Sequence, residues 1–181
     1  MMQFGDQQAR GIFAGAASCG GGYHFKCAPW RPTFWAYFDY ASGSNNPDGG
    51  SFNTFNELFP FGHYYLGWAD LIGRRNIFDG NCHLFLYPTN WTQIWLAYHH
   101  FWLASPRDAL YNAAGIPSRR DPTGAAGSNV GNEVDCIVNF TLSKHQNVMI
   151  DYNHFFGGRF VQQTGGRADA GTLYFIYDFR W

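Results

Sequence analysis

The chain ends in a clean two-residue alternation. In Gly171–Trp181, GTLYFIYDFRW, one parity holds Leu173, Phe175, Tyr177, Phe179 and Trp181, and the other holds Thr172, Tyr174, Ile176, Asp178 and Arg180. A strand turns successive side chains to opposite faces, so the segment predicts one face of rings and one carrying an Asp and an Arg. The period recurs upstream. Gly131–Ser143 sets Val134, Cys136, Val138, Phe140 and Leu142 against Glu133, Asp135, Ile137, Asn139 and Thr141. Asn147–Gly157 sets Val148, Ile150, Tyr152, His154 and Phe156 against Met149, Asp151, Asn153 and Phe155. Trp91–Ala104 divides into Ile94, Leu96, Tyr98, His100 and Trp102 against Gln93, Trp95, Ala97, His99 and Phe101. Arg74–Tyr87, Thr33–Ser42 and the Gly- and Ala-rich Ala9–Lys26 complete seven predicted strands, with Asp39 on the face of Thr33 and Tyr37.

The connections alternate too. Cys27–Pro32, Pro88–Asn90 and Lys144–Gln146 are short, whereas Gly43–Gly73, Ser105–Val130 and Gly158–Ala170 are long. Short turns on one rim, long loops on the other and strands beyond the ordinary length of about 5–6 residues are the layout of an outer-membrane barrel. The expected fold is therefore all-β, an antiparallel up-and-down transmembrane β-barrel with about seven long strands. The first long connection contains Phe52, Phe55, Leu58, Phe59, Phe61, Tyr64, Tyr65 and Trp68, so it is expected to fold against something, with a helical turn at Ala69–Ile72. Single-chain bacterial barrels close with even strand numbers. The opening MMQFGDQQARG also lacks the basic and apolar regions of a secretory signal. Both lead to the expectation that residues 1–181 form a single partial domain, the C-terminal portion of a larger barrel.

Composition supports alternation between lipid and water. Aromatic residues make up 20% and charged residues 14%, against roughly 25% charged in an average soluble domain. A net charge of −1 gives no reason to expect nucleic acid, and no apolar run is long enough for a helical span. Cys19, Cys27, Cys82 and Cys136 lack zinc-ligand spacing. The alternative reading is a surface β-protein that binds carbohydrate on its Tyr and Trp side chains.

Two stretches, NTFNELFPFGHYYLGWADLIGRRNIFD (Asn53–Asp79) and YHHFWLASPRDALYNAAG (Tyr98–Gly115), resemble the alginate-export family of outer-membrane barrels. FDYASGSNNP (Phe38–Pro47), GNEVD (Gly131–Asp135) and YNHFFGG (Tyr152–Gly158) fit the same pattern in order. The resemblance implies a channel for an anionic polysaccharide such as alginate, or for small solutes, with no cofactor. It implies a cell outer-membrane location, with outer-membrane lipid and the barrel-assembly machinery as partners. Arg74 and the pair Arg107–Asp108 fall on recurrent family positions. The sequence departs from the family at Trp95, a bulky inward residue, and at Ile176, where the assembly signal often has Gly.

Candidate chemistry follows from charge. Arg74, Arg75, Arg107, Arg119, Arg120, Arg159 and Arg167 sit near loop-side strand ends or in loops, as a basic funnel or as solvated loop charge. Asp39, Glu133, Asp135, Asp151 and Asp178 face inward and make the lumen mixed in sign. His99 and His100 point to opposite faces, so a shared metal is not expected. Glu133 and Asp135 share a face without a partner that completes a hydrolytic site, so no catalytic residue is assigned. Asn45–Gly50 has the composition of a Ca²⁺ loop and of a simple turn.

Overall fold

The computed structural model describes residues 1–60, 63–166 and 169–181. Among them, ten strands and one short helix follow in order: β1 Met2–Gln7, β2 Arg10–His24, β3 Thr33–Ala41, β4 Ile77–Leu86, β5 Thr92–Leu103, β6 Leu110–Tyr111, β7 Pro117–Arg119, β8 Asn129–Ser143, β9 Gln146–Gly157, α1 Arg159–Thr164 and β10 Ala170–Phe179. Eight strands form one antiparallel meander in the order β1-β2-β3-β4-β5-β8-β9-β10. The seven expected strands are all present, each displaced by no more than a few residues at its ends. The sheet is open, with β1 and β10 at its edges, as in part of a barrel.

The eighth strand corrects the expected count. Met2–Gln7 folds back on β2 through Gln8 and Ala9, both left-handed at φ 51° and 61°. This two-residue geometry matches strand twist and usually carries Asn-Gly or Gly. A Gln-Ala pair gives no such signal.

The predicted parities become two unlike faces. On the bare face Phe13, Phe38, Tyr98, Val134, Tyr152, Leu173, Phe175 and Tyr177 are exposed; Leu173 and Phe175 reach 71%. On the covered face Asp39, Asp79, His99, Glu133, Asp135, Asp151 and Asn153 are buried beside Trp95, Ala97, Phe101 and Phe155. The cover comes from the long connections. Phe55, Leu66 and Ile72 between β3 and β4 pack in one core with Leu110, Ala126, Phe160 and Phe101. The first connection thus lies against the sheet, as its aromatic content predicts. Ala69–Ile72 is not a helical turn; Asp70 there takes φ 55°. The helix α1, in the third connection, had no counterpart in the sequence pattern. Phe61 and Arg167 lie outside the described residues.

Strand β2 shows why its small residues matter. Gly20 and Gly22 stand opposite Tyr37 and Trp35 of β3, and those rings fill the space where β2 side chains would project. The two rings are nearly parallel, 9° apart, with centroids 5.6 Å from each other. A Cβ at Gly20 would run into the Tyr37 ring and the Ala36 carbonyl. Gly20→Val is expected to destabilise the fold by about 1–3 kcal/mol through overpacking, read as a lower denaturant midpoint. Gly21→Val, where a Cβ meets open space, should stay near the parent value.

Candidate functional site

A directed chain of hydrogen bonds runs across the covered face. Trp95 Nε1 donates to His83 Nδ1 at 2.9 Å. An indole N–H can only donate, so His83 Nδ1 is the acceptor and its proton sits on Nε2. That nitrogen lies 2.9 Å from Asn81 Oδ1, and the Asn81 amide donates onward to Asp79 Oδ2 at 2.7 Å. The same carboxylate oxygen is 2.8 Å from His99 Nδ1 on β5. Alternation on β4 places Asp79, Asn81 and His83 on one face, and register sets Asn81 opposite His99. The other His99 nitrogen approaches Asp135 Oδ2 at 3.8 Å.

Register also gathers the inward acids. Glu133 stands opposite His99, Asp135 opposite Ala97 and Asn153, and Asp151 opposite Ile137. Asn153 donates to Asp151 Oδ2 at 3.1 Å. The first long connection docks on this patch through its backbone. The Ala69 N–H donates to Glu133 Oε1 at 2.8 Å, and Gly67, at φ 87°, leaves no room for a Cβ beside that carboxylate. Trp68 meets Trp95 edge-on with centroids 5.2 Å apart. Asp178 stands apart near the short-turn rim, where it pairs with Arg180 at 2.8 Å.

The predicted arginines are dispersed rather than gathered into a ring. Arg74 reaches the covered face and pairs with Asp39 at 2.8 Å. Arg75 donates to the carbonyls of Phe55 and Gly115 and lies over the Tyr111 ring, 4.9 Å from its centroid. Arg119 donates to the Val161 carbonyl and Arg159 to that of Ala125. Arg120 grips Asp48 with both terminal nitrogens and donates to the Arg107 carbonyl. This grip lowers the Asp48 pKa and raises that of Arg120. With Gly49 N–H donating to the Asn46 carbonyl, the Asn45–Gly50 run is a turn held by an arginine. Among the described residues, no cluster of three or more His, Cys, Asp or Glu is arranged to hold a metal ion.

Two buried residues tie the long connections together. Asp108, 1% exposed, accepts from the Ser44 N–H at 2.8 Å, the Thr54 hydroxyl, the Ala109 N–H at 2.7 Å and the Tyr111 hydroxyl at 3.0 Å. Asn76, fully buried, accepts from the Ser105 N–H and donates to the Ser105 and Ala109 carbonyls. The family resemblance singled out Asp108 with Arg107, and no reading of the sequence singled out Asn76, whose amide fills the space left by the missing side chain of Gly43. Burial chiefly, then Asp108, pushes the Tyr111 pKa up to about 12. Burial also raises that of Glu57, against the lowering pull of the Arg74 backbone and Arg75.

A family profile described as alginate export matches residues 1–174. The chain belongs to the alginate export family. Comparison with curated proteins finds no match. The stretches GRRN (Gly73–Asn76) and PRDALYN (Pro106–Asn112), both within the matched range, form a knot that ties the long connections together. They supply Arg74, Arg75, Asn76, Asp108 and Tyr111 at one junction.

Tyr111 gives the knot a pH signature. Its folded-state pKa stands above the unfolded value of 10.0, so the unfolded chain ionises first as pH rises. The contribution is whole below pH 10 and is lost as pH rises towards about 12. Proteolysis of the two long connections should therefore accelerate across that window. In Tyr111→Phe the Tyr111-dependent part of that step should disappear, and phenolate absorbance should lose one late-titrating group.

Proposed function

We propose that the chain forms part of an outer-membrane channel through which a polysaccharide, or its sugar units, crosses. The contrast between the two sheet faces carries this reading. Leu173, Phe175, Tyr177 and Phe179 form an exposed apolar surface that suits lipid, while on the opposite face of the sheet Asp39, Asp79, His99, Glu133, Asp135 and Asp151 of β3, β4, β5, β8 and β9 are buried beneath the long connections. Family membership supplies transport as the activity, and lipid and the barrel-assembly machinery follow as partners.

The covered face is then the lumen side, and the β3–β4 connection is its constriction. The segment around Gly67–Ala69 rests on Glu133, above the acids of β8 and β9. Arg107 and Arg159, both exposed, stand with Arg119 and Arg120 on the long-connection rim. Cations at a channel mouth attract anions, so an anionic polymer such as alginate suits that rim. Asp39, held by Arg74, and Asp178 belong to the inner face, with Glu133, Asp135 and Asp151 buried beneath the first connection, and this acidic face favours hydroxyl-rich cargo over free anions.

Two measurements test this. Phe175→Arg places a charge on the lipid face at a cost of ~2–4 kcal/mol at mid-bilayer. It should sharply reduce membrane-inserted protein, whereas Ile176→Arg, on the opposite parity, should insert. Equal insertion of both, or a water-soluble monomeric parent, would return the chain to the carbohydrate-binding surface protein. In planar bilayers Gly67→Val should lift the constriction from Glu133 and enlarge single-channel conductance. An unchanged conductance in a folded variant would remove the constriction role.

A further inference from the structure

A cavity of about 500 Å³ opens on the covered face between β3, β4 and the first long connection. That volume lies within the roughly 300–1,000 Å³ of small-molecule sites. Its floor is the parallel pair Trp35 and Tyr37, laid over Gly20 and Gly22 of β2. Tyr64 of the connection faces that floor, and Phe85, Tyr87 and Gln93 close the side nearest the short turns. We propose that this cavity is a binding subsite for a neutral hexopyranose unit of a glycan.

The chemistry of the lining selects that occupant. A pyranose ring has apolar C–H faces and a belt of hydroxyls around its edge. Flat, electron-rich ring faces suit the first, and small uncharged polar groups at the margin suit the second. Ser18, Thr33, Asn81 and Gln93 supply those groups. The one acid in the lining, Asp39, is engaged by Arg74 at 2.8 Å. His83 accepts from the Trp95 indole and so presents no second proton. Among the described residues, the lining offers a carboxylated sugar no cation.

The glycines make the floor possible. Any side chain at Gly20 or Gly22 would push the rings up into the cavity. Thr33 and Tyr87 stand beside the short connections, so the subsite lies at the short-turn end of the lumen face. The inference rests on the channel reading for its expectation of a glycan cargo; the binding experiment is independent of conduction.

The test uses the detergent-purified protein, maltohexaose as the neutral probe and an oligouronate of matched length. Tryptophan fluorescence reports binding, and glycan block of single-channel current is measured separately. Maltohexaose should bind, and Trp35→Ala and Tyr37→Ala should each weaken it about tenfold, a difference of ~1.4 kcal/mol. Trp91→Ala, outside the cavity, should not change it. Trp35→Phe keeps an aromatic face and should restore most of the affinity, which separates stacking from misfolding. No maltohexaose binding by the folded parent, equal binding by Trp35→Ala, or tighter binding of the oligouronate would each overturn the subsite. Conductance without binding discards the subsite and keeps the channel; binding without conductance does the reverse.

Discussion

Two buried side chains hold the long connections on the sheet. Asp108 draws on backbone and hydroxyl donors from both connections, and Asn76 bridges the start of β4 to the chain just after β5. A buried carboxylate without donors is costly, so each of its hydrogen bonds matters more than one at the surface. Without that fastening, Phe55, Leu66 and Ile72 would lose their seat against Phe101 and Leu110. The covering layer, the inner acids beneath it and the aromatic cavity beside it all depend on this junction.

Above that junction the molecule separates its chemistry by parity. The bare face carries apolar side chains and rings, and the covered face mixes rings such as Trp35, Trp95 and Phe101 with amides, imidazoles and carboxylates. One part of the polar side is hydrogen-bonded within the sheet, through the run from Trp95 by His83 and Asn81 to Asp79 and His99. Because every donor in that run has a fixed sense, the His83 tautomer and the Asn81 amide orientation are set by the indole at one end. A wall built this way presents hydroxyl-compatible groups at its margin and ring faces where β2 recedes.

The long strands and their faces were legible because a period of two over ten or more residues survives the choice of individual side chains. The fold class and the family resemblance were legible for the same stretches. β1 escaped because its turn uses Gln8 and Ala9 in a conformation that Gly or Asn normally announces. The arginines were read from their charge, yet Arg75, Arg119, Arg120 and Arg159 all donate to backbone carbonyls of distant segments, which composition does not display. His99 was weighed as a metal ligand; its actual neighbour, Asp79, becomes visible only once the register of β4 and β5 is known. Asn76 falls within the predicted strand Arg74–Tyr87, and nothing local marks the carbonyls it would meet.

The knot also bears on the order in which the molecule comes together. Ser44 and Asp108 lie 64 residues apart, as do Ala69 and Glu133. The strand pairs β4–β5 and β8–β9, by contrast, are joined by short turns. Contacts between distant residues carry a larger loop-closure entropy and form late. On that ground the short-turn hairpins are expected to pair before the covering layer closes over them.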